Sequence, residues 1–256
     1  MHITLLDRAK GLPPLRTAVV HPCDAPSLTA AVEARKRGLI DPLLVGPEAR
    51  IRQVASQACI DLEHVVVEPT PHSHASAERA VELVHRAEVA AVMKGSLHTD
   101  ELMAAIVARS TGLRTERRIS HVFVMAVPSY ERLLFVTDAA INIEPCLEEK
   151  VDIVQNAIDL AHALGIPAPR VALLSAVETV TSKLRSTIDA AALCKMADRG
   201  QITGGLLDGP LAFDNAVSLE AARTKGIVSE VAGRADILVT PDLESGNILA
   251  KQLEYF

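Results

Sequence analysis

The chain has 256 residues, 49% of them hydrophobic and 23% charged, with a formal net charge of −6 at pH 7. This negative charge argues against nucleic acid as the main partner, because contact with a phosphate backbone requires a clustered positive surface. No apolar run reaches the ~18 residues of a transmembrane helix, so we expect a globular protein without membrane association.

Short apolar runs alternate with longer helical stretches along the sequence. The runs predict strands at residues 17–21, 42–45, 65–67, 90–93, 121–127, 133–137, 171–174, 204–207 and 237–239. Helices are predicted at residues 27–38, 50–58, 74–86, 99–108, 148–164, 186–198, 219–225 and 247–256. The short link between the strands at 121–127 and 133–137 predicts a hairpin. Such alternation is typical of α/β proteins with mostly parallel sheets.

The alternation is interrupted once, near residues 138–145. We therefore predict two α/β domains, the first at residues 1–140 and the second at residues 141–256. The start of the chain has no apolar segment behind basic residues, so no signal peptide is expected. The four cysteines include no Cys-x-x-Cys pair, which favours reduced thiols in a cytoplasmic protein and argues against a metal site.

Ligands of parallel α/β sheets bind at the carboxyl ends of the strands, and the turn after strand 90–93 has suitable residues. Lys94 supplies a positive charge and Gly95 allows a close backbone approach. His98 and Thr99 follow, with Thr99 predicted to cap a helix whose N-terminus can bind an anion. An ordinary capped turn with a surface lysine is the alternative.

Polar residues mark two further turns around the predicted hairpin. Ser120 and His121 stand at the entry to strand 121–127. Asp138 and Asn142 follow strand 133–137, where Asp138 could orient a substrate or form a purely structural Asx turn. Each of these residues is a candidate for substrate binding.

The second half of the chain adds two candidate turns. Asp208 and Gly209 follow the predicted strand 204–207, and the Gly209–Pro210 pair predicts a sharp exit that places Asp208 at the strand tip. Asp242, Gly246 and Asn247 follow strand 237–239 and form a flexible polar turn that opens a helix, whose N-terminus could again receive an anion.

The sequence also contains a basic run and lacks two common functional motifs. Arg114, Arg117 and Arg118 could contact a diphosphate or could lie on a solvated loop. The sequence has no Gly-x-Ser-x-Gly elbow and no Gly-x-Gly-x-x-Gly fingerprint, so neither a serine hydrolase of that type nor common nicotinamide binding is supported.

Six segments together resemble the phosphate acetyltransferase and phosphate butyryltransferase family, in particular the acyltransferase part of bifunctional enoyl-CoA hydratase/phosphate acetyltransferase proteins. They are VMKGSLHTDELM, RRISHVFVM, LLFVTDAAINIEP, RVALLSAVE, LLDGPLAFDNA and ADILVTPDLESGNILAKQL. The resemblance implies two α/β domains with a cleft between them, as in isocitrate and isopropylmalate dehydrogenases, and a homodimer. It also implies the reaction acyl-CoA plus phosphate giving acyl phosphate plus CoA.

The resemblance also implies substrates and site residues. Coenzyme A and phosphate, or acyl phosphate, are the expected ligands, with no tightly bound cofactor or metal. Thr99 matches the family's threonine beside the acyl phosphate. Other cleft-lining positions are matched by Lys94, Gly95, Asp208, Asp242, Gly246 and Asn247.

The sequence departs from the family pattern in two places. The family's serine–arginine pair and its base follow the last matched segment, and this chain ends at Phe256, so no catalytic residue is assigned. A chain that binds coenzyme A or phosphate without turnover is therefore the alternative function. Ala139 stands where acetate-specific relatives often carry cysteine, which favours the butyryl type or an uncharacterised branch over the strict acetyl enzymes. A decarboxylating dehydrogenase would need metal-binding Asp clusters, which the sequence lacks.

Overall fold

Two separate sheets organise the computed structural model, which describes residues 5–255. The strands are β1 (Leu15–Val20), β2 (Ile40–Gly46), β3 (Val66–Pro69), β4 (Ala91–Lys94), β5 (Val122–Ala126), β6 (Leu133–Thr137), β7 (Arg170–Leu174), β8 (Leu206–Leu211) and β9 (Ile237–Val239). The helices are α1 (Leu5–Ala9), α2 (Ala25–Lys36), α3 (Glu48–Gln57), α4 (Ser73–His85), α5 (Thr99–Ile106), α6 (Leu147–Ala163), α7 (Arg185–Asp198), α8 (Phe213–Val217), α9 (Leu219–Thr224) and α10 (Leu243–Tyr255).

The chain divides into two compact units, and unit 1 comprises Met1–Thr115. Its four strands are all parallel, in the order β3-β2-β1-β4. Successive residues of a strand point to opposite faces. Ala18 and Val20 accordingly pack against α4 and α5, while Val19 packs against α2 and α3. Burial of both faces explains why the strands appear in the sequence as continuous apolar runs.

Unit 2 comprises Glu116–Phe256 and contains the five-stranded sheet β5-β6-β9-β7-β8. The predicted hairpin is confirmed, because β5 and β6 are antiparallel, while the other neighbouring strands are parallel. Helices α6 and α7 cover one face of the sheet. Helices α8, α9 and α10 contribute apolar residues to the cluster on the other face.

The boundary between the units differs from the predicted domain boundary after residue 140. In the sequence, the division between the compact units falls between Thr115 and Glu116, so β5 and β6 belong to unit 2. The physical reason is strand pairing, since Phe135 of β6 lies opposite Ile237 of β9 in a parallel ladder. Such long-range pairing cannot be seen in the local pattern of apolar residues.

Two elements differ from their predicted ranges in ways that affect the site. Strand β8 runs from Leu206 to Leu211 rather than 204–207, so the Gly209–Pro210 pair lies inside a strand. This is possible because β8 is an edge strand, where proline is tolerated. Helix α10 begins at Leu243, four residues before its predicted start at 247; its predicted last residue, Phe256, lies outside the described residues. No helix in the described range is long and apolar enough to cross a bilayer.

Candidate functional site

The strand order of unit 1 reverses between β1 and β4. The chain passes outward from β1 to β2 and β3, then returns to place β4 on the other side of β1. Ligands of open α/β sheets bind at such a reversal, outside the carboxyl ends of the strands. The turns after β1 and β4 are therefore the candidate site in this unit.

Gly95 joins these two turns through its backbone. Its N–H donates to the carbonyl of Val20 at 2.8 Å, and the N–H and Oγ of Ser96 donate to the carbonyl of His21 at 3.0 and 2.8 Å. A Cβ atom on residue 95 would lie 2.3 Å from the Val20 carbonyl oxygen. The close backbone approach expected of Gly95 thus occurs, but toward β1 rather than toward a ligand.

The other candidates of this turn take different local roles. The ammonium group of Lys94 donates to the carbonyls of Gly95 and Leu97, at 3.2 and 2.9 Å, and so braces its own turn. The prediction that Thr99 caps α5 is wrong, because His98 is the N-cap and its N–H donates to Glu101 at 3.1 Å. Thr99 is exposed in the first turn, where its hydroxyl can reach a ligand.

Sequence reasoning missed a cluster behind this turn, formed by His21, Thr70 and Ser76. The Nδ1 atom of His21 lies 3.4 Å from the Oγ of the fully buried Ser76, which lies 2.7 Å from the Oγ1 of Thr70. His21 has a φ of 54°, which is uncommon for a residue other than glycine. Burial lowers the pKa of the His21 imidazole, and the nearby Arg50 lowers it further. A histidine directly after an apolar run was the available signal.

In unit 2, Asp138 is the centre of a turn at the carboxyl end of β6. Its carboxylate is 3% exposed and accepts hydrogen bonds from the N–H groups of Ala140 and Ile141 at 2.9 and 3.0 Å. It also accepts from the Nδ2 of Asn142 at 2.6 Å. The arrangement corresponds to the Asx-turn alternative, since the oxygens of Asp138 already have internal donors.

The start of α10 packs against this turn. Asp242 caps the helix by accepting from the N–H of Ser245 at 2.8 Å. A Cβ atom on Gly246 would lie 2.6 Å from the carbonyl oxygen of Asp138, and Nδ2 of Asn247 donates to the carbonyl of Ala139 at 3.1 Å. Gly246 and Asn247 therefore lie within the helix rather than in a flexible turn. The structure brings all of these predicted residues of β6, β9 and α10 together.

Ser120 and His121 lie at the same edge, because Val122 pairs with Thr137, next to Asp138. Ser120 Oγ accepts from Nδ2 of Asn156 at 2.9 Å. The His121 ring meets Phe123 edge-on at 4.4 Å, and its buried Nδ1 has no hydrogen-bond partner within the described residues.

Asp208 and Gly209 stand apart from this group. Asp208 lies opposite Ala172 within β8 rather than at a strand tip, and its Oδ1 accepts from the N–H of Gly209 at 2.8 Å. A Cβ atom on Gly209 would lie 2.7 Å from the Cβ of Leu173. The prediction that Asp208 lies at a strand tip is wrong, because β8 continues to Leu211. Strand β7 also separates β8 from β9, so Asp208 is not beside the Asp242 turn.

Two arginines of the basic run, Arg117 and Arg118, pair with carboxylates of α6. Arg117 pairs with Asp159, and Arg118 pairs with Glu149 at 2.7 Å and donates to Oδ1 of Asn142 at 2.5 Å. A hydrogen bond from the Cys146 backbone is the main cause that lowers the pKa of Glu149. Arg118 therefore supports the Asn142 turn, whereas Arg117 binds the side of α6. Within residues 5–255, no cluster of His, Cys, Asp or Glu is arranged to hold a metal ion.

Comparison with known proteins gives consistent matches. The family model described as "Phosphate acetyl/butaryl transferase" matches residues 70–256. A phosphate acetyltransferase of Rhizobium meliloti is 62% identical over 98% of this chain and 79% of its own length. A phosphate butyryltransferase of Clostridium acetobutylicum is 44% identical over 94% and 80%, respectively. The crystal structure of a branched-chain phosphotransacylase from Enterococcus faecalis V583 superposes with a TM-score of 0.81 at 26% identity, covering 94% of this chain and 85% of that one.

Proposed function

The chain belongs to the phosphate acetyl/butyryl transferase family, and we propose that it transfers a short acyl group, acetyl or butyryl, between coenzyme A and inorganic phosphate. The observation that carries this proposal is the 62% identity to a phosphate acetyltransferase across 98% of the chain. It also confirms the family resemblance inferred from the sequence. The same matches favour transfer over the alternative of ligand binding without turnover.

The reaction can be written so that bonds and protons balance. In the direction of acyl-CoA formation, the thiol of coenzyme A loses its proton and its sulfur bonds to the acyl carbonyl carbon. The bond from that carbon to the phosphate oxygen then breaks, and inorganic phosphate leaves. A free thiol has a pKa of ~8.5, so a base that accepts the proton would accelerate the step near neutral pH.

The turn between β4 and α5 supports this chemistry, because it presents exposed hydrogen-bond donors. We propose that Thr99, with the N-terminus of α5, contacts the phosphate group, because both present donors at the carboxyl edge of the sheet. Lys94 holds the turn in shape through its two carbonyl contacts. In unit 2, the Asp138 turn and the start of α10 are proposed to contact substrate at the carboxyl edge of that unit's own sheet. A homodimer and a cytoplasmic location stay predictions.

The proposed function is tested by release of free coenzyme A. Purified protein is mixed with phosphate and acetyl-, propionyl- or butyryl-CoA, and the thiol is measured with a chromogenic disulfide. We expect phosphate-dependent thiol release with at least one acyl-CoA. Its absence with all of them, alongside calorimetric binding of coenzyme A, would favour the binding alternative.

Thr99→Ala is expected to raise the KM for phosphate about tenfold or more, because a hydrogen bond to a charged group contributes ~1.5–3 kcal/mol. Steady-state kinetics at saturating acyl-CoA provide the measurement. Thr29→Ala, at an exposed threonine of α2, is the matched control and should leave KM unchanged. Equal KM values for both variants would remove Thr99 from the site.

A further inference from the structure

The strand order of unit 2 also reverses, between β7 and β9. The chain passes from β7 through α7 to β8, and it then returns to place β9 on the other side of β7. Helix α7, which follows β7, packs on the face of the sheet that α6 covers, whereas α10, which follows β9, packs on the opposite face. Such a reversal opens a crevice outside the carboxyl ends of the two strands, where ligands of open α/β sheets bind.

A small, partly open pocket lies at this reversal. Leu174 ends β7 and Val239 ends β9, and both residues line the pocket together with side chains of α6 and α7. An apolar pocket with a few convergent polar groups is the usual form of a small-molecule site. The polar residues of the lining are Lys150, Ser186, Asp189 and Thr240.

The ammonium group of Lys150 is buried in the wall of this pocket and is incompletely hydrogen-bonded. Its side chain is 6% exposed, and within residues 5–255 its Nζ makes one hydrogen bond, to Oδ2 of Asp189 at 2.7 Å. An ammonium group has three N–H donors, so two of them have no acceptor in this part of the chain. Unmatched donors of a buried charge are costly, because the group has lost its water. An oxygen atom of a ligand in the pocket would supply an acceptor.

Two cations approach the carboxylate of Asp189, which is the acidic side chain of the pocket lining. Lys150 and Arg185 both approach its Oδ2, at 2.7 and 3.5 Å. Arg185 is largely exposed at the start of α7. Glu148, two residues before Lys150, is exposed and is not part of the lining. The charges at the pocket therefore suit a ligand that carries negative charge.

A pair of hydroxyl groups adds a neutral donor. The Oγ atoms of Ser175, directly after β7, and Ser186, in the first turn of α7, lie 2.8 Å apart. One hydroxyl donates to the other, and the second keeps its proton for a different acceptor. A phosphate oxygen can accept from ammonium and hydroxyl donors together.

We propose that the pocket at the reversal between β7 and β9 binds a phosphate group, with Lys150 and Ser186 donating to its oxygens. The inference rests on the proposed function for the identity of the ligand. Two sources share this chemistry, namely inorganic phosphate and the phosphate groups of coenzyme A. The role accounts for a buried ion pair at a position where an apolar pair would be similarly stable.

Nuclear magnetic resonance of the isotope-labelled protein tests the pocket through the backbone N–H of residue 186. Inorganic phosphate, coenzyme A and dephospho-coenzyme A are titrated separately. We expect at least one of them to shift this signal saturably, while the N–H of Arg199, at the opposite end of α7, keeps its position. Because the Kd is taken from the signal of residue 186, binding at the Thr99 turn does not contribute to it.

The variant Lys150→Met/Asp189→Leu removes both charges of the pocket. We expect it to weaken the bound ligand about tenfold or more, as for loss of a charge-assisted hydrogen bond. Ser186→Ala leaves the ion pair intact and should weaken the same ligand by a smaller factor. Lys195→Met, at an exposed lysine of α7, is the matched control and should leave the Kd unchanged. Circular dichroism checks that each variant is folded.

The three ligands separate the sources of the phosphate group. A shift with inorganic phosphate assigns that substrate, a shift with coenzyme A but not its dephospho form assigns the 3′-phosphate, and a shift with both forms assigns the diphosphate. No saturable shift at residue 186 with any ligand, or an unchanged Kd in the folded double variant, overturns the subsite. Thiol release is measured separately. Turnover without the shift removes the subsite alone, whereas the shift without turnover removes the proposed function alone.

Discussion

Lys150→Met is expected to lower the free energy of unfolding by about 3–5 kcal/mol, because it leaves the carboxylate of Asp189 buried without its main partner. The two side chains are 6% and 9% exposed, and their charged atoms lie 2.7 Å apart, joining α6 to α7. Arg185 reaches Asp189 only at 3.5 Å and is itself largely exposed. Urea unfolding followed by circular dichroism measures the change.

The control for this prediction replaces both charges together. The double variant Lys150→Met/Asp189→Leu is expected to regain most of the lost stability, since an apolar pair carries no desolvation cost. The pair lines a small, partly open pocket together with Leu173, Ala190 and Leu193, so a leucine at residue 189 would have apolar neighbours. A double variant less stable than Lys150→Met alone would contradict the interpretation, and the coupling energy follows from the mutant cycle.

Asp138→Ala is expected to lower the free energy of unfolding by about 3 kcal/mol, because donors that bond a 3% exposed carboxylate lose their acceptor. These donors are the N–H groups of Ala140 and Ile141 and the side-chain amide of Asn142. The carbonyl of Asp138 also accepts from Thr240 Oγ1 at 3.2 Å, so the turn supports the segment that leads into α10. We therefore expect catalytic efficiency to fall together with stability.

Two further variants serve as comparisons for the loss of stability expected of Asp138→Ala. Asp138→Asn keeps one acceptor oxygen and the side-chain volume, so it should lose only part of the stability. Asp214→Ala removes an exposed carboxylate of α8 and should change the unfolding free energy by about 0.5 kcal/mol or less. Equal stability of Asp138→Ala and Asp214→Ala would mean that the Asp138 turn is not a structural centre of unit 2.

Much of the candidate site could be predicted because its residues follow strands. Ligand-binding residues of parallel sheets lie at the carboxyl ends of strands, so Asp138 after β6 and Asp242 after β9 were each candidates. The predicted boundary after residue 140 placed them in different domains, and the pairing of β6 with β9 shows that they lie at the same edge of one sheet. Their roles could not be predicted from spacing. That Gly246 lies against the carbonyl of Asp138 depends on how α10 packs, which is a long-range contact.

Asp208 is a residue whose position could not be predicted from the local sequence. Its Gly-Pro neighbours are typical of a turn, yet they lie inside β8, because an edge strand needs fewer backbone hydrogen bonds and tolerates proline. Whether a strand lies at an edge is decided by the order of the whole sheet. The same strand order explains why the compact units divide after Thr115 rather than after residue 140. Because β6 pairs with β9, both hairpin strands belong to unit 2.

By itself, the sequence determined the α/β class, the existence of the strands and the family, because these depend on local apolar runs and on contiguous segments. Only the tertiary structure decided which polar side chains face one another. His21 follows β1 and Ser76 lies on α4, and the packing of α4 against β1 is what places their side chains 3.4 Å apart. The physical reason is that strand pairing is a long-range interaction, whereas the apolar pattern records only whether each residue is buried.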